Sequence, residues 1–561
     1  MPRYTADNKS EIIWFDGKLK DYYIDNISKL IFEKFGNGPF ETFLETNEIL
    51  FFIHDGLIRQ MQLLLSNEKS LAVYQYIQIL HEQSNKIVID DDFSNHFTQI
   101  SKGDFAIYRR VLRFILEQAT HLELVFAESL DNAKKRALKF IEELIYIGNE
   151  LFGISNLIAS QQLIEDSIEI YFTENDSYVI DYKHHYNDII AQINNELESH
   201  IEKAIKDENA INDFSQATKN CLGVAFQDII REVTSLHKYM KDNNDEPYPC
   251  AAGFDLHSLI DNLSHNSKIS YDEAKTIVSG LILSQETKCS FQEAIYKPQS
   301  INRHFYRPFL QYKVISKKVN TEMIMVGQYG LIISLQQLAT NAIGWNKYPI
   351  EWKNECFDSY VKEKQQKNDK VLEDHLENLL IKSKIKYSRN ITSLKKFNNQ
   401  NLDIDNEDCG EIDYLILLNN KIYIADSKHL LARYDFNNWK NDFYKFETDK
   451  ANFNKTIERK KAYLNDKKSL IEEHFRVEYQ DDSIKLTDNE LECIFLINNP
   501  TFYMYNSKYI IITIRDFERF LKGQFIYPTF HINKINGDKV EQIIVDHPYF
   551  KKPDYVIFNE E

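Results

Sequence analysis

Apolar residues recur at i, i+3, i+4 and i+7 through most of residues 19–300, as in 104–127 (DFAIYRRVLRFILEQATHLELVFA) and 131–165, which is the spacing of a buried helical stripe. This stretch is expected to form a helical domain. Short polar breaks such as 240–250 separate its segments, and no 34- or 40-residue self-similarity marks a solenoid. Around 303–350 the pattern shifts to β-rich runs (FLQYKVISKKV, EMIMVGQYGLIISL), and a boundary is placed near residue 350. Beyond it come a charged helix over 355–370, an amphipathic helix over 371–383 and a strand over 384–392. A polar loop (397–409), a hairpin (411–428), further helix (436–472) and the strand signals ECIFLI and YIIITI follow. That order, α, β, β, β, α, β, predicts a mixed central sheet flanked by helices. The chain is therefore read as multidomain: a mainly α region over 1–300 with a sensing, regulatory or dimerising role, a β-containing connector over 301–355, and an α/β domain over 356–561.

Composition narrows the function classes. A chain of 561 residues, 43% hydrophobic and 13% aromatic with only 16 Gly, belongs to a folded protein of two or three domains. The start MPRYTADNKSEIIWF lacks a charged n-region followed by an apolar stretch, and no apolar run reaches the roughly 18 residues of a membrane span. The expectation is a cytoplasmic protein with no membrane partner. Six cysteines are scattered without a C-x-x-C pair, so they are expected to be reduced thiols. A formal charge of −18 argues against coating nucleic acid through a global positive field. Residues 371–470 escape that acidic excess, with 18 Lys and Arg against 16 Asp and Glu. No G-x-x-x-x-G-K-[ST] is present, so any ATP-driven step would require a separate ATPase partner.

The hairpin GEIDYLILLNNKIYIADSKHL carries the chemistry. Asn419-Asn420 tolerates the positive φ values of a two-residue turn, and this fixes the register: residues whose numbers add to 839 face each other. Asp413 then opposes Asp426, and Glu411 opposes Lys428. Side chains alternate along a strand, so all four share one face. Directly opposed Cβ atoms lie about 5 Å apart, and two like charges there are destabilising unless neutralised. A divalent cation neutralises them, and hard oxygen ligands suit Mg²⁺ or Mn²⁺.

These residues resemble the PD-(D/E)xK nuclease superfamily, whose signature is an Asp opening one hairpin strand and D/E-x-K on the next: here Asp413, then Asp426-Ser427-Lys428. Ile412 stands where that motif has Pro. The resemblance covers about residues 370–530 and implies a restriction-endonuclease-like fold. It also implies Asp413 and Asp426 as metal ligands, Lys428 assisting the attacking water, and a Glu from the preceding helix completing the site. On a helical wheel Leu372, Leu376, Leu379 and Leu380 form the apolar stripe; Glu373 lies about 20° beyond its edge and Glu377 about 60°. Glu373 is favoured as the third metal ligand, with Glu377 the alternative. The implied activity is Mg²⁺-dependent endonucleolytic hydrolysis of DNA, RNA being the less favoured substrate. At the level of architecture, a large helical part on such a nuclease resembles prokaryotic restriction and anti-phage effectors. Double-strand cutting by one site per chain requires a homodimer. The alternatives are a non-catalytic nucleic-acid or protein-binding scaffold on the same fold, or an RNase.

Secondary features carry less weight. Lys382, Lys384, Lys386, Arg389, Lys395 and Lys396, interleaved with Tyr387 and Phe397, suit phosphate contact or a solvated face, as do Arg459, Lys460 and Lys461. Trp439, Phe443 and Tyr444 are read as core rather than base-stacking residues. Arg231 and His237 show the R-x5-H spacing of HEPN ribonucleases, against a packing role. His184, His185 and His304 lack metal-ligand companions and are read as structural.

Overall fold

Amphipathic helices need a common core. Five of them, Gly17–Phe35, Phe43–Asn67, Leu71–Ile89, Lys102–Ala119 and Leu138–Leu163, bury their apolar stripes together around residues such as Leu50, Ile77, Ile115 and Ile145. The computed structural model describes residues 10–89, 101–164, 167–183, 209–244, 251–297, 300–315, 320–398, 400–433, 435–486 and 488–526. It also describes residues 191 and 194, strand 3–6, and the hairpin strands 530–536 and 539–545. The expected helix over 104–127 stops at Ala119, and Glu123–Val125 becomes a strand parallel to Phe309–Ile315. The available sheet edge overrides the helical spacing there, because the peptide groups of LELV gain ladder partners.

The β-rich runs of the expected connector do not form a separate body. Phe309–Ile315 and Asn320–Gly327 are the middle of a sheet that also takes in Glu123–Val125, Ala251–Asp255 and Ile282–Leu283. On this sheet lie Phe226–Asn244, Leu256–Ser267, Tyr271–Leu281 and Gln328–Gln337, in a second core closed by Trp352 and Phe357. Gly280 leaves room for the Trp352 indole: a Cβ there would stand 2.0 Å from Trp352 Nε1. Gly280→Ala is therefore expected to destabilise the chain by about 1–3 kcal/mol in urea unfolding, a core-overpacking effect; an unchanged midpoint would mean that the indole is free to move.

One long helix joins this region to the catalytic candidate. The charged and amphipathic helices expected over 355–370 and 371–383 form a single helix α1, Glu355–Lys382. Neither Pro nor Gly interrupts it, and Asn354 caps its start by accepting from Phe357 N–H at 2.8 Å. Phe357 and Val361 sit in the second core, while Leu372, Leu376 and Leu380 sit beneath the C-terminal sheet. A disulfide joins Cys221 to Cys356 at the start of α1, with Cα atoms 5.4 Å apart. This corrects the expectation of reduced thiols: the pair is 135 residues apart in sequence, and only tertiary packing brings the two together. Cys289, Cys409 and Cys493 are buried thiols.

The C-terminal sheet has β1 (Lys386–Ile391), β2 (Ile412–Leu418), β3 (Lys421–Lys428), β4 (Glu490–Ile497) and β5 (Ile510–Thr513) in spatial order 1-2-3-4-5. Pairing is antiparallel between β1, β2 and β3, then parallel across β3, β4 and β5. The mixed sheet flanked by helices matches the order of elements in the sequence. The helical stretch expected over 436–472 divides into α2 (Phe436–Phe443), α3 (Phe453–Asn465) and α4 (Lys468–Tyr479), with Asn452 capping α3. Helix α2 also docks on Leu138–Leu163: Phe436 N–H donates to Asn156 Oδ1 at 2.9 Å, and Asn437 Nδ2 to Ser155 Oγ at 3.1 Å. Among the described residues no helix is long and apolar enough to cross a membrane.

A charged group at the first core titrates unusually. Glu82 is fully buried and accepts from Tyr329 N–H (2.8 Å), Gly330 N–H (3.1 Å) and Asn85 Nδ2 (3.0 Å). Burial pushes its pKa up to about 7, against the pull of these donors and of Arg109, the charged group facing it from the neighbouring helix; His81 stands beside it. The folded chain thus holds a proton that the unfolded chain releases near pH 4.5. The stability this group contributes is complete below that pH and is lost as pH rises toward about 7. Urea unfolding from pH 4.5 to 7.5 is expected to show a loss of roughly 2–3 kcal/mol that Glu82→Gln removes; an identical slope in the variant would assign the titration elsewhere.

Candidate active site

The hairpin forms because Asn419 and Asn420 adopt φ values of 52° and 58°, the left-handed pair that a two-residue turn needs. Paired residues run from Leu418↔Lys421 to Tyr414↔Ala425, in the register anticipated from sequence. Asp413 and Asp426 occupy the next step. The faces sort as alternation requires: Tyr423 and Ala425 pack toward α1, whereas Ile422 and Ile424 lie in the core on the α3 side.

Asp426 is fully buried, and two lysines answer its charge. Lys460 Nζ on α3 donates to Oδ1 at 2.7 Å, and Lys428 Nζ stands 3.3 Å from Oδ2. Burial opposes ionisation, yet Lys428 and Lys460 together hold its carboxyl below the usual range. Asp413 behaves oppositely. Burial and the neighbouring Asp426 charge raise its pKa, even though its Oδ2 accepts from Ser427 N–H (2.7 Å) and Ser427 Oγ (2.9 Å). For Lys428, the two aspartates outweigh burial and raise its pKa, so it stays an ammonium. Its Nζ also lies 5.2 Å from the centroid of the Phe453 ring.

Glu373 and Glu377 sit on α1, and both are taken by one residue of β1. Arg389 Nη2 contacts Glu373 at 2.7 Å, while Nη1 contacts Asp374 at 2.8 Å and Glu377 at 2.6 Å. Glu373 lies on the Glu411 side of this cluster, since its charge helps to raise the pKa of both Asp369 and Glu411. Glu377 faces away and accepts from Tyr387 Oη at 2.8 Å. For Asp369 burial is the leading cause and Glu373 the next; for Glu411 burial leads and Asp413 follows. Asp369 is not singled out by the sequence pattern. Its only signal is the i, i+4 spacing to Glu373 on one helix face.

In sequence Lys460 is one of three neighbouring basic residues suited to phosphate or a solvated face; burial against Asp426 makes it part of the site. Of the basic cluster, Lys386 pairs with Asp481 at 2.5 Å, Lys395 with Glu478 at 3.5 Å, and Arg389 with the α1 acids, whereas Lys382 and Lys384 are exposed. Trp439 and Phe443 are buried, Trp439 stacking on Phe502 at 5.2 Å, in line with the core reading. His237 is buried, with its ring nitrogens 2.7 Å from Val233 O and 3.1 Å from Val326 O, which gives it a packing role. Arg231 is exposed and paired with Asp228 at 2.6 Å, on the surface. His184 and His185 lie outside the described residues.

The donor set fits a hard divalent cation. Asp426 Oδ2 is buried and faces the Lys428 ammonium at 3.3 Å without an aligned hydrogen bond, and the adjacent carboxylates repel each other, two conditions that a cation relieves. Among the described residues no three His, Cys, Asp or Glu side chains converge as a preformed cage. Mg²⁺ needs only one or two carboxylates and completes its shell with water and phosphate oxygens. Comparison with protein-family models, with curated proteins and with solved structures gives no match to this chain.

Proposed function

We propose that this chain is a Mg²⁺-dependent endonuclease, with Mn²⁺ able to substitute, that hydrolyses phosphodiester bonds in DNA through a restriction-endonuclease-like C-terminal module. The observation carrying this reading is the convergence of Asp413, Asp426 and Lys428 on one face of two adjacent strands, met there by Lys460 of α3, with Asp426 buried and ionised. Asp413 and Asp426 would hold the cation, and Glu373 would join them once released from Arg389. A bound divalent cation supplies an activated water and neutralises charge on the scissile phosphate. Lys460 fixes the orientation of Asp426, and Ser427 fixes that of Asp413. Lys428, kept protonated, offsets the negative charge that gathers on the phosphate in the transition state. One site per chain cuts both strands only as a two-fold dimer. The large helical part, fused to such a module, fits a sensing or regulatory role in prokaryotic anti-phage defence or restriction.

The test is incubation of the full chain with supercoiled plasmid and with single-stranded RNA, in Mg²⁺, Mn²⁺ or EDTA. Nicking or linearisation of DNA that EDTA abolishes is the expected result. Cleavage of RNA alone would reassign the substrate. No cleavage of either, together with no Mn²⁺ binding by calorimetry, would leave the module as a binding scaffold.

A further inference from the structure

A second concentration of charge lies far from the aspartate pair, in the first helical core. Helix Lys102–Ala119 places Arg109, Arg113 and Glu117 four residues apart on one face, with Arg110 beside them. Opposite them stand His81 and Asn85 from Leu71–Ile89, and Arg303 and His304 from the segment that precedes strand Phe309–Ile315. The Arg113 guanidinium feels the others: burial comes first, and Arg109, Arg303 and Arg110 then help to push its pKa down to about 9.

The carboxylates nearby are already committed. Glu117 takes Arg303 Nε at 3.0 and 2.9 Å and the His304 backbone N–H at 2.8 Å. Glu82 is held by Asn85 and by the Tyr329 and Gly330 amides. Asp435 stands 3.7 Å from Arg110, beyond hydrogen-bond reach. Arg109 donates to Asn85 Oδ1 at 2.9 Å, Arg113 lies over the Phe305 ring at 4.6 Å, and Arg110 over the Phe152 ring at 3.9 Å.

What remains is a surplus of unused hydrogen-bonding capacity. Arg109 Nε, Arg110 Nη2 and His81 Nε2 are all buried without a partner, and His81 is more than nine-tenths buried; His304, equally buried, bonds the Pro308 carbonyl through its ring. The His81 and His304 rings are 5.3 Å apart. The Asn85 amide nitrogen faces His81 Nδ1 at 3.4 Å, which leaves the imidazole proton on Nε2 as a donor. Buried polar groups are normally satisfied, and clustered like charges normally find counter-charge. A carboxylate has two oxygens and one charge; a phosphate offers more acceptors and about two charges, and guanidinium forks match its geometry. The Arg110 side chain, 29% exposed, forms the outer edge of the cluster, with His81 buried behind it.

We propose that Arg109, Arg110, Arg113 and His81 form a binding site for the phosphate group of a small soluble ligand, pyrophosphate being its minimal form and a nucleotide its extended one. The site abuts the catalytic module, because Arg110 faces Asp435, the residue that caps α2 and lies next to the Phe436–Asn156 bond. The site is independent of whether the aspartate pair is catalytic.

Isothermal titration of the full chain with pyrophosphate and with ATP, in EDTA, tests it. Saturable binding is expected, with affinity falling about tenfold or more in Arg113→Ala and in Arg110→Ala, each checked for an unchanged circular dichroism spectrum. Arg113→Lys, which keeps the charge but not the fork, is expected to bind with intermediate affinity. Lys428→Ala should bind as wild type does. Tighter ATP than pyrophosphate identifies a nucleotide, and equal affinities identify the phosphate chain alone; either supports the site. Absence of saturable binding by both probes overturns the proposal, as does binding that survives both arginine-to-alanine substitutions or disappears in Lys428→Ala.

Discussion

Lys428→Ala is expected to lower metal-dependent DNA cleavage by at least about 100-fold, and Asp426→Asn by as much or more. Lys428 Nζ is 3.3 Å from Asp426 Oδ2 and is kept protonated by both aspartates, so its removal deletes a fixed positive charge from a buried site. No mobile solvent ion replaces a preorganised charge of this kind without reorganisation at the moment of reaction. Asp426→Asn preserves shape and removes the ligand charge, but it also leaves Lys460 and Lys428 without their carboxylate. Its unfolding must therefore be measured alongside its rate. A folded Lys428→Ala protein that cuts plasmid at the wild-type rate would remove this residue, and with it the proposed mechanism, from the site.

Glu117→Ala is expected to cost about 3–5 kcal/mol of stability, the range for removing one partner of a buried ion pair. Glu117 and Arg303 are almost wholly buried, and Glu117 makes two contacts to Arg303 Nε as well as capping the His304 N–H. The loss also strips the nearby arginines of a main counter-charge, since Glu117 acts on Arg110 and Arg113. Urea unfolding followed by circular dichroism reads this directly. A change below about 1 kcal/mol, the value of an exposed pair, would mean that the two charges are solvated.

The legible part of the candidate site is local in sequence. A two-residue turn sets the register of its hairpin, so the opposition of Asp413 and Asp426 follows from counting outward from Asn419-Asn420. Period-two alternation then places Lys428 on the face of Asp426. Lys460 was not legible in that role: 34 residues separate it from Asp426, and only the packing of α3 against β3 turns a basic residue into the partner of a buried carboxylate. The Arg389 clamp on Glu373 was equally hidden, because it needs β1 to lie across from α1.

Periodicity by itself determined that the first half of the chain is mainly helical, that a mixed sheet with a central hairpin lies in the last third, and that two acids face each other on that hairpin. These properties rest on interactions within about one turn or one strand pair, where spacing dictates contact. Tertiary structure decided where Glu123–Val125 goes, that 309–327 belongs to a sheet shared with earlier segments, that α1 is one continuous helix spanning two cores, and which charges are buried together. The reason is physical: burial and charge pairing depend on which distant surfaces meet, and a local pattern carries no record of that choice.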